Sequence, residues 1–395
     1  MNGYLYEAAR RLIAFDTVST RSNRAAIDYL AGELEPLGFR IAIQPAELLG
    51  IAQANLAASI GPPQPDGLII SGHVDTVPFE GQPGWTRDPL KLEIADDRLF
   101  GRGTSDMKGF IAQCLAAARS LDAAKLKRPL VFIFTASEEV GCLGAEALTR
   151  GLAQILGETP VPKLAWIGEP TSYAVCHAHK SIVSFEVVVR GIGGHSGAPA
   201  KGVNAIAVMS HAIDAIGRLQ EECRAVAHPE FAAILPDAPY EVLNFGTIQG
   251  GLAANIIAEE CRLRISYRSL PNADPMALYR EISHRLGALD KHDFAARDRA
   301  ATIEIGPPAV VPPLNSPRAT ALERALFDAT GANSSGGALF ATDGGHLASA
   351  GIASLICGPG DLDQAHQPNE SIRRDAFEGG AEKILQVIES LCCAR

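Results

Sequence analysis

Short apolar runs alternate with stretches of helical spacing from residue 1 to about residue 178. Residues 68–71, 130–135 and 164–167 are apolar almost without interruption, the pattern of strands covered on both faces. Residues 107–121 and 144–148 carry helical spacing between them, and residues 1–16 alternate apolar positions with Glu7, Arg10 and Arg11 at the same period. Near the C-terminus an expected helix at about 317–330 precedes one more apolar run, 353–357. Strands alternating with helices predict an α/β domain built on a mixed, mostly parallel sheet.

The middle of the chain reads differently. Strands are expected over 182–189, 243–248 and 257–267, with helices over 204–221 and 275–286. These strands lack the continuous apolar character of the flanks, so they predict a small α+β two-layer sandwich inserted into the first domain. The expected boundaries are 1–179 and 297–395 for the discontinuous α/β domain and 180–296 for the insertion.

A chain of 395 residues exceeds the roughly 250 to 300 at which a single core stops growing, in keeping with two domains. No apolar run approaches the about 20 residues that span a bilayer, and the N-terminus lacks a signal-peptide stretch. A soluble, cytoplasmic protein without a membrane partner is expected. The eight cysteines include no C-x-x-C pair, which fits reduced thiols. A net charge of −10 without a basic patch excludes a nucleic-acid partner, because binding to phosphates relies on clustered Lys and Arg.

Candidate chemistry lies just after the apolar runs. His73 follows 68–71, Glu138 and Glu139 follow 130–135, Glu169 follows 164–167, and His366 lies in the loop after 353–357. Open α/β sheets bind ligands at the carboxyl ends of their strands, so these residues are expected to converge. Asp106 joins them from the Gly-rich loop Gly101-Arg102-Gly103-Thr104-Ser105-Asp106. In His73-Val74-Asp75 an extended backbone turns both polar side chains to one face, so the Asp75 carboxylate is expected to orient the imidazole. Imidazole with carboxylate suits zinc and tolerates cobalt or manganese, and a shared carboxylate such as Asp106 can bridge two ions. Taken singly, each residue reads more often as a capping or solvated polar group than as a ligand; Asp106 alone would cap the helix after it. Five at the same end of one sheet favour the metal reading.

The motifs Ser71-Gly72-His73-Val74-Asp75-Thr76-Val77-Pro78, Gly101-Arg102-Gly103-Thr104-Ser105-Asp106-Met107-Lys108-Gly109, Ser137-Glu138-Glu139-Val140-Gly141, Gly168-Glu169-Pro170-Thr171 and Gly194-His195-Ser196-Gly197 occur in that order. With them the chain resembles, over essentially its whole length, the acetylornithine deacetylase and succinyl-diaminopimelate desuccinylase family of two-zinc hydrolases. The resemblance implies that His73 and Glu169 hold one metal, Glu139 and His366 the other, and that Asp106 bridges. It makes Glu138 the general base, a choice between Glu138 and Glu139 that spacing leaves open. It also implies a homodimer through the inserted domain, with His195 lent to the partner's active site; on sequence alone His195 reads as a turn residue in a Gly-rich loop.

For the substrate carboxylate the resemblance suggests Asn255 and Arg268. Arg268 shares an alternating face with Arg262 and Arg264, which leaves a solvated face as its other reading, and Asn255 is followed by Ile256-Ile257-Ala258 where the family has Asn-x-Ile-Pro. Surface or supporting positions are expected for His177, His179 and His346. Thr342-Asp343-Gly344-Gly345 resembles a family loop near the substrate.

The implied reaction is hydrolysis of an N-acyl amino acid. Cys357-Gly358-Pro359-Gly360 and Asn244-Phe245-Gly246-Thr247-Ile248 resemble the deacetylase branch, so N2-acetyl-L-ornithine, cut to acetate and ornithine in arginine synthesis, is the expected substrate. Another acyl-amino-acid hydrolase, a desuccinylase or a dipeptidase is the alternative within the chemistry. A non-catalytic metal-binding interaction protein is the alternative outside it, opposed by the intact ligand set and Glu138.

Overall fold

The computed structural model describes residues 2–226, 228–289 and 301–393. The chain divides into two compact units, Met1–Ala178 with Leu314–Arg395, and His179–Pro313.

The first unit is organised by a mixed sheet. Its order is Arg40–Leu48, Ile51–Ile60, Leu130–Thr135, Leu68–His73, Leu164–Ile167, Ala353–Ile356, Val175–His179 and Leu314–Asn315, with Ser335–Ala338 also pairing Val175–His179. The four strands from Leu130–Thr135 to Ala353–Ile356 run parallel, and antiparallel pairs flank them. Successive side chains of a strand point to opposite faces, and the two cores follow that period. Leu68, Ile70, Leu130, Phe132 and Phe134 enter the larger core with the helices Asn2–Ala14, Lys108–Ser120 and Arg374–Ile388. Ile69, Val131 and Ile133 enter a second core with Leu148, Leu152 and Leu347. Both faces are covered, so these strands are apolar throughout. Phe132 is fully buried and stacks between Phe39 and Phe134, so Phe132→Ala should cost about 3–5 kcal/mol.

Lys108–Ser120 is buried from Lys108 to Ala118, which its Gly, Ala and Cys positions permit by letting the helix sit close to the sheet. Phe110 from this helix fills the space where a Cβ on Gly168 would stand, 2.0 Å from Phe110 Cδ1. Glycine is therefore required immediately before Glu169.

Among the described residues the second unit is organised by a sheet of five strands covered by two long helices. Val242–Gly250, Glu260–Arg268 and Ile182–Arg190 pair antiparallel in that order, and Thr302–Ile305 and Ala309–Val311 both pair with Ile182–Arg190. Val183, Phe185, Val187 and Val189 alternate into the core against Leu263, Ile265 and Tyr267, covered by Ala205–Ala225 and Ala277–Leu289. Asn204 caps the first of these helices, its side chain accepting from the amides of Ile206 and Ala207.

Two expectations change. The expected boundary at 296/297 lies outside the described residues, and the chain rejoins the first unit at Leu314. The reason is that Thr302–Ile305 and Ala309–Val311 prolong the antiparallel pairing on Ile182–Arg190. The single strand expected over 257–267 is two, because Ile256–Ile257 pairs with Gly194–His195 while Glu260–Arg268 joins the main sheet. The hairpin Arg40–Leu48/Ile51–Ile60 and the helices Arg24–Leu34 and Arg374–Ile388 were not anticipated. Among the described residues no helix is long and apolar enough to cross a membrane.

Candidate metal centre

The parallel strands deliver the candidate side chains to one end of the sheet. His73 is the last residue of Leu68–His73, Glu138 and Glu139 follow Leu130–Thr135, and Glu169 follows Leu164–Ile167. Between Ser137 and Cys142 the chain turns tightly. The amides of Gly141 and Cys142 both donate to the Glu138 carbonyl at 2.9 Å, with Gly141 at φ +115°.

Asp106 stands between two imidazoles. Its Oδ1 is 3.0 Å from His73 Nε2 and its Oδ2 is 3.3 Å from His366 Nε2. Glu169 Oε2 lies 3.8 Å from His73 Nε2, and Glu139 Oε2 lies 2.9 Å from His366 Nε2. The cluster thus divides into a His73–Glu169 half and a His366–Glu139 half about one shared carboxylate. Potential ligand atoms of His73, Glu138 and Glu169, and of His73, Asp106 and Glu139, lie within 4.8 Å of one another.

Asp75 acts otherwise than expected. His73 Nδ1 contacts the Asp75 main-chain carbonyl at 3.0 Å, whereas the nearest carboxylate oxygen is 3.7 Å away. A carbonyl only accepts, so Nδ1 carries the proton and Nε2 faces Asp106. The Asp75 carboxylate instead accepts from the amides of Glu138 (3.0 Å) and Glu139 (3.3 Å) and from Ser19 Oγ (2.6 Å).

The electrostatics call for cations. Burial, then neighbouring Asp106, pushes the Glu139 carboxyl up to about 7, and burial with Asp106 and Asp343 nearby does the same to Glu169 against the pull of His73. Burial and Glu169 hold the Glu138 carboxyl well above its usual range. Burial would raise Asp106 too, but hydrogen bonds from His366 and His73 carry it below the normal carboxylate range. Bonds to Asp106 and Glu139 raise His366 to about 10. The rise of His366 reflects the surplus of carboxylate charge gathered around it. Glu139 Oε1 and Glu169 Oε1 are buried without a hydrogen-bond partner, which such oxygens rarely tolerate unless an ion satisfies them. The donor set therefore fits divalent ions.

Cys142 and Glu370, which sequence reasoning missed, contribute here together with Asp343. Cys142 donates from Sγ to Glu138 Oε1 at 3.4 Å, and the buried Asp343 accepts from Thr135 Oγ1 at 2.5 Å. Glu370 is buried beneath the Asp106 loop, with its Oε1 accepting from the amides of Gly103, Ser105 and Asp106. Asp343 lies in the loop whose resemblance already pointed toward the substrate, whereas Glu370, between Asn369 and Ser371, carries no local sign of its role. His177, His179 and His346 are all buried, so the surface reading for them is corrected; His177 Nδ1 contacts Ser335 Oγ at 2.9 Å.

Three further candidates belong to the second unit. His195 is exposed on the short strand Gly194–His195, and its Nδ1 accepts from the Gly197 amide at 2.9 Å. Asn255 is also exposed, and its carbonyl accepts from the Ser196 amide at 3.1 Å. Arg268 ends the strand Glu260–Arg268. Arg262 and Arg264 pair with Glu186, whereas Arg268 forms no ion pair among the described residues, and burial lowers its pKa.

Known proteins are similar to this chain in sequence and in fold. Over 393 residues the chain is 35% identical to the acetylornithine deacetylase of Salmonella typhimurium, covering 98% of this chain and 97% of that one. It is 36% identical over 395 residues to the acetylornithine deacetylase of Yersinia pestis, covering 98% and 95%. An M20 family metallo-carboxypeptidase from Sulfolobus solfataricus superposes with a TM-score of 0.77 at 17% identity, and aminopeptidase PepT from Bacillus cereus with 0.73 at 21%, each covering 99% of both chains. Identities this low speak for the fold alone. The family description Peptidase family M20/M25/M40 matches residues 69–390, a span that holds His73, Asp106, Glu139, Glu169 and His366. On that match and the full-length relatives, the chain belongs to peptidase family M20/M25/M40.

Proposed function

We propose that this protein is a two-metal amidohydrolase that cleaves N2-acetyl-L-ornithine to acetate and L-ornithine. The observation that carries the metal reading is the Asp106 carboxylate, one oxygen facing His73 and the other facing His366. His73 with Glu169 would hold one ion and His366 with Glu139 the other, zinc first, with cobalt or manganese suited to the same donors. When bound, the ions supply Lewis acidity toward the acyl carbonyl and lower the pKa of water.

Glu138 is the proposed general base, held by the Asp75 carboxylate at its amide and by Cys142 at its side chain. It takes a proton from the attacking water and delivers it to the leaving nitrogen as the C–N bond breaks. Asn255 and Arg268 are proposed to receive the substrate carboxylate; the missing acidic partner of Arg268 supports that role. A homodimer through the second unit would lend His195 to the partner's site. Exposed Phe245 and Ile248 on the outer strand of its sheet support such an interface.

The substrate is supported by the acetylornithine deacetylases that match over nearly the whole chain. A cytoplasmic place in arginine synthesis goes with that reading. The test is kcat/KM on metal-restored and metal-stripped protein, across acetylornithine, acetylmethionine, acetylcitrulline, succinyl-diaminopimelate and acyl-glutamates. Acetylornithine is expected to lead, with activity lost on stripping. A competitor better by more than about tenfold, roughly 1.4 kcal/mol in transition-state binding, would overturn the substrate and leave the two-metal chemistry standing.

A further inference from the structure

Glu370 lies four residues beyond His366 and is 1% exposed. One of its oxygens, Oε1, accepts from three main-chain amides, Gly103 at 3.0 Å, Ser105 at 2.9 Å and Asp106 at 3.0 Å. The other, Oε2, accepts from the equally buried Arg102 at 2.8 Å. Main-chain amides of one loop converging on a point make an anion-binding concavity, and here the anion is a side chain of the protein itself.

The contacts continue to the opposite ligand. Arg102 donates its second amino group to Gln82 Oε1 at 2.7 Å, and Gln82 Nε2 donates to the main-chain carbonyl of His366 at 2.7 Å. Trp85 donates to the same Gln82 oxygen at 3.0 Å and fixes its orientation. His366 itself has φ +63°, a left-handed conformation that a residue with a side chain keeps only when its surroundings hold it there. One circuit therefore starts at the amide of Asp106 and closes at the carbonyl of His366.

A buried Arg–Glu pair read as fold stabilisation alone accounts for little of this, since apolar residues of similar volume stabilise a core as well or better. What the ion pair adds is geometry. It ties the loop of the shared carboxylate to the loop of the His366 ligand, and both tied atoms belong to the ligating residues' own main chains. We propose that Glu370 is a positioning residue which, through Arg102 and Gln82, sets the spacing of Asp106 and His366 and so the affinity of the ion position formed by His366 and Glu139. The proposal rests on the two-metal reading above.

The test compares the metal-stripped full-length protein with Glu370→Gln and Gln82→Ala, titrated with Co(II) by calorimetry and followed by visible absorption. Glu370→Gln keeps an oxygen for the three amides but turns an amide NH₂ toward Arg102. Gln82→Ala removes only the last link to His366. Gln82→Ala, which touches only His366, should weaken one of the two binding steps about 10- to 100-fold while the other stays within about threefold; Glu370→Gln, which also holds the shared Asp106, should weaken at least that same step on the same scale, the size usual for residues that orient metal ligands. The altered step should carry an altered cobalt spectrum, and kcat should recover as metal is raised. A merely structural role would lower Tm and leave both affinities and the spectrum unchanged; that result in folded variants overturns the proposal while the wild type still binds two ions. Should Glu370→Gln not fold, Gln82→Ala decides by the same two outcomes. A wild type that binds fewer than two ions overturns the two-metal reading, and this inference with it.

Discussion

Asp75 holds His73 by its main-chain carbonyl, 3.0 Å from Nδ1, and gives its carboxylate to the amides of Glu138 and Glu139. One residue thereby fixes the tautomer of a candidate ligand and the position of the turn that carries the candidate base. Asp75→Ala keeps the carbonyl, so it should lower kcat far more than it lowers metal affinity. Asp75→Asn, which retains one accepting oxygen, should fall between. Metal titration beside kinetics decides: an Asp75→Ala protein as depleted of metal as His73→Ala would show that the carboxylate, and not the carbonyl, governs the ligand.

Glu138 and Glu139 are neighbours with different surroundings, and substitution should separate them. Glu139 meets His366 at 2.9 Å, whereas Glu138 meets Cys142 and has no ion-pair contact with His366 among the described residues. Glu138→Ala should retain two ions and lose on the order of a hundred- to ten-thousand-fold in kcat. Glu139→Ala and Asp106→Ala should instead lose metal. Elemental analysis of the purified variants, paired with turnover, tests the division, and wild-type kcat in Glu138→Ala would remove it from the mechanism.

Much of this centre was legible because the strands that build it are covered on both faces. Continuous apolar runs mark Leu130–Thr135 and Leu164–Ile167 unambiguously, and ligands at their ends follow from the sheet. What stayed hidden is what depends on long-range contact. Glu370 gives no local sign that its carboxylate will gather three amides more than 260 positions earlier in the chain. The outer strand Arg40–Leu48 of the hairpin with Ile51–Ile60 has only exposed and half-buried positions, which blurs the period. Asp75 followed the expected spacing yet used its backbone where a side-chain contact was expected, a distinction no spacing encodes.

His346 should set an acid limit on stability. It is buried, its Nε2 has no hydrogen-bond partner, and burial followed by Arg150 lowers its pKa from 6.5 to about 4. Between those values the unfolded chain binds a proton that the folded chain refuses, so stability falls as pH drops from about 6.5 toward 4. The full contribution is present above the unfolded value and amounts to roughly 3 kcal/mol. His346→Gln should therefore lose less stability than the wild type across this window. Urea midpoints of both metal-stripped proteins at several pH values isolate the effect, because protonation of the other groups cancels in the difference. Parallel curves would exclude His346 as the source.

His195 is the residue whose role depends on a second subunit. Its Nδ1 accepts from the Gly197 amide, so the proton sits on the exposed Nε2, leaving a donor ready for an oxyanion. Removing one such donor typically lowers kcat by about a hundred- to a thousand-fold, so His195→Ala should retain its metal and lose turnover on that scale. Whether the donor acts on its own subunit or on the partner is answered by mixing two inactive proteins. In a dimer of Glu138→Ala with His195→Ala, action in trans brings the intact His195 of the first subunit to the intact Glu138 of the second. One of the two sites is then whole, and an equal random mixture, in which half the dimers are mixed, should regain about a quarter of wild-type activity. Action in cis leaves every site with one defect and restores nothing. Mixed dimers isolated with two different affinity tags should show about half the wild-type rate; if verified mixed dimers stay inactive, His195 does not serve the partner's site.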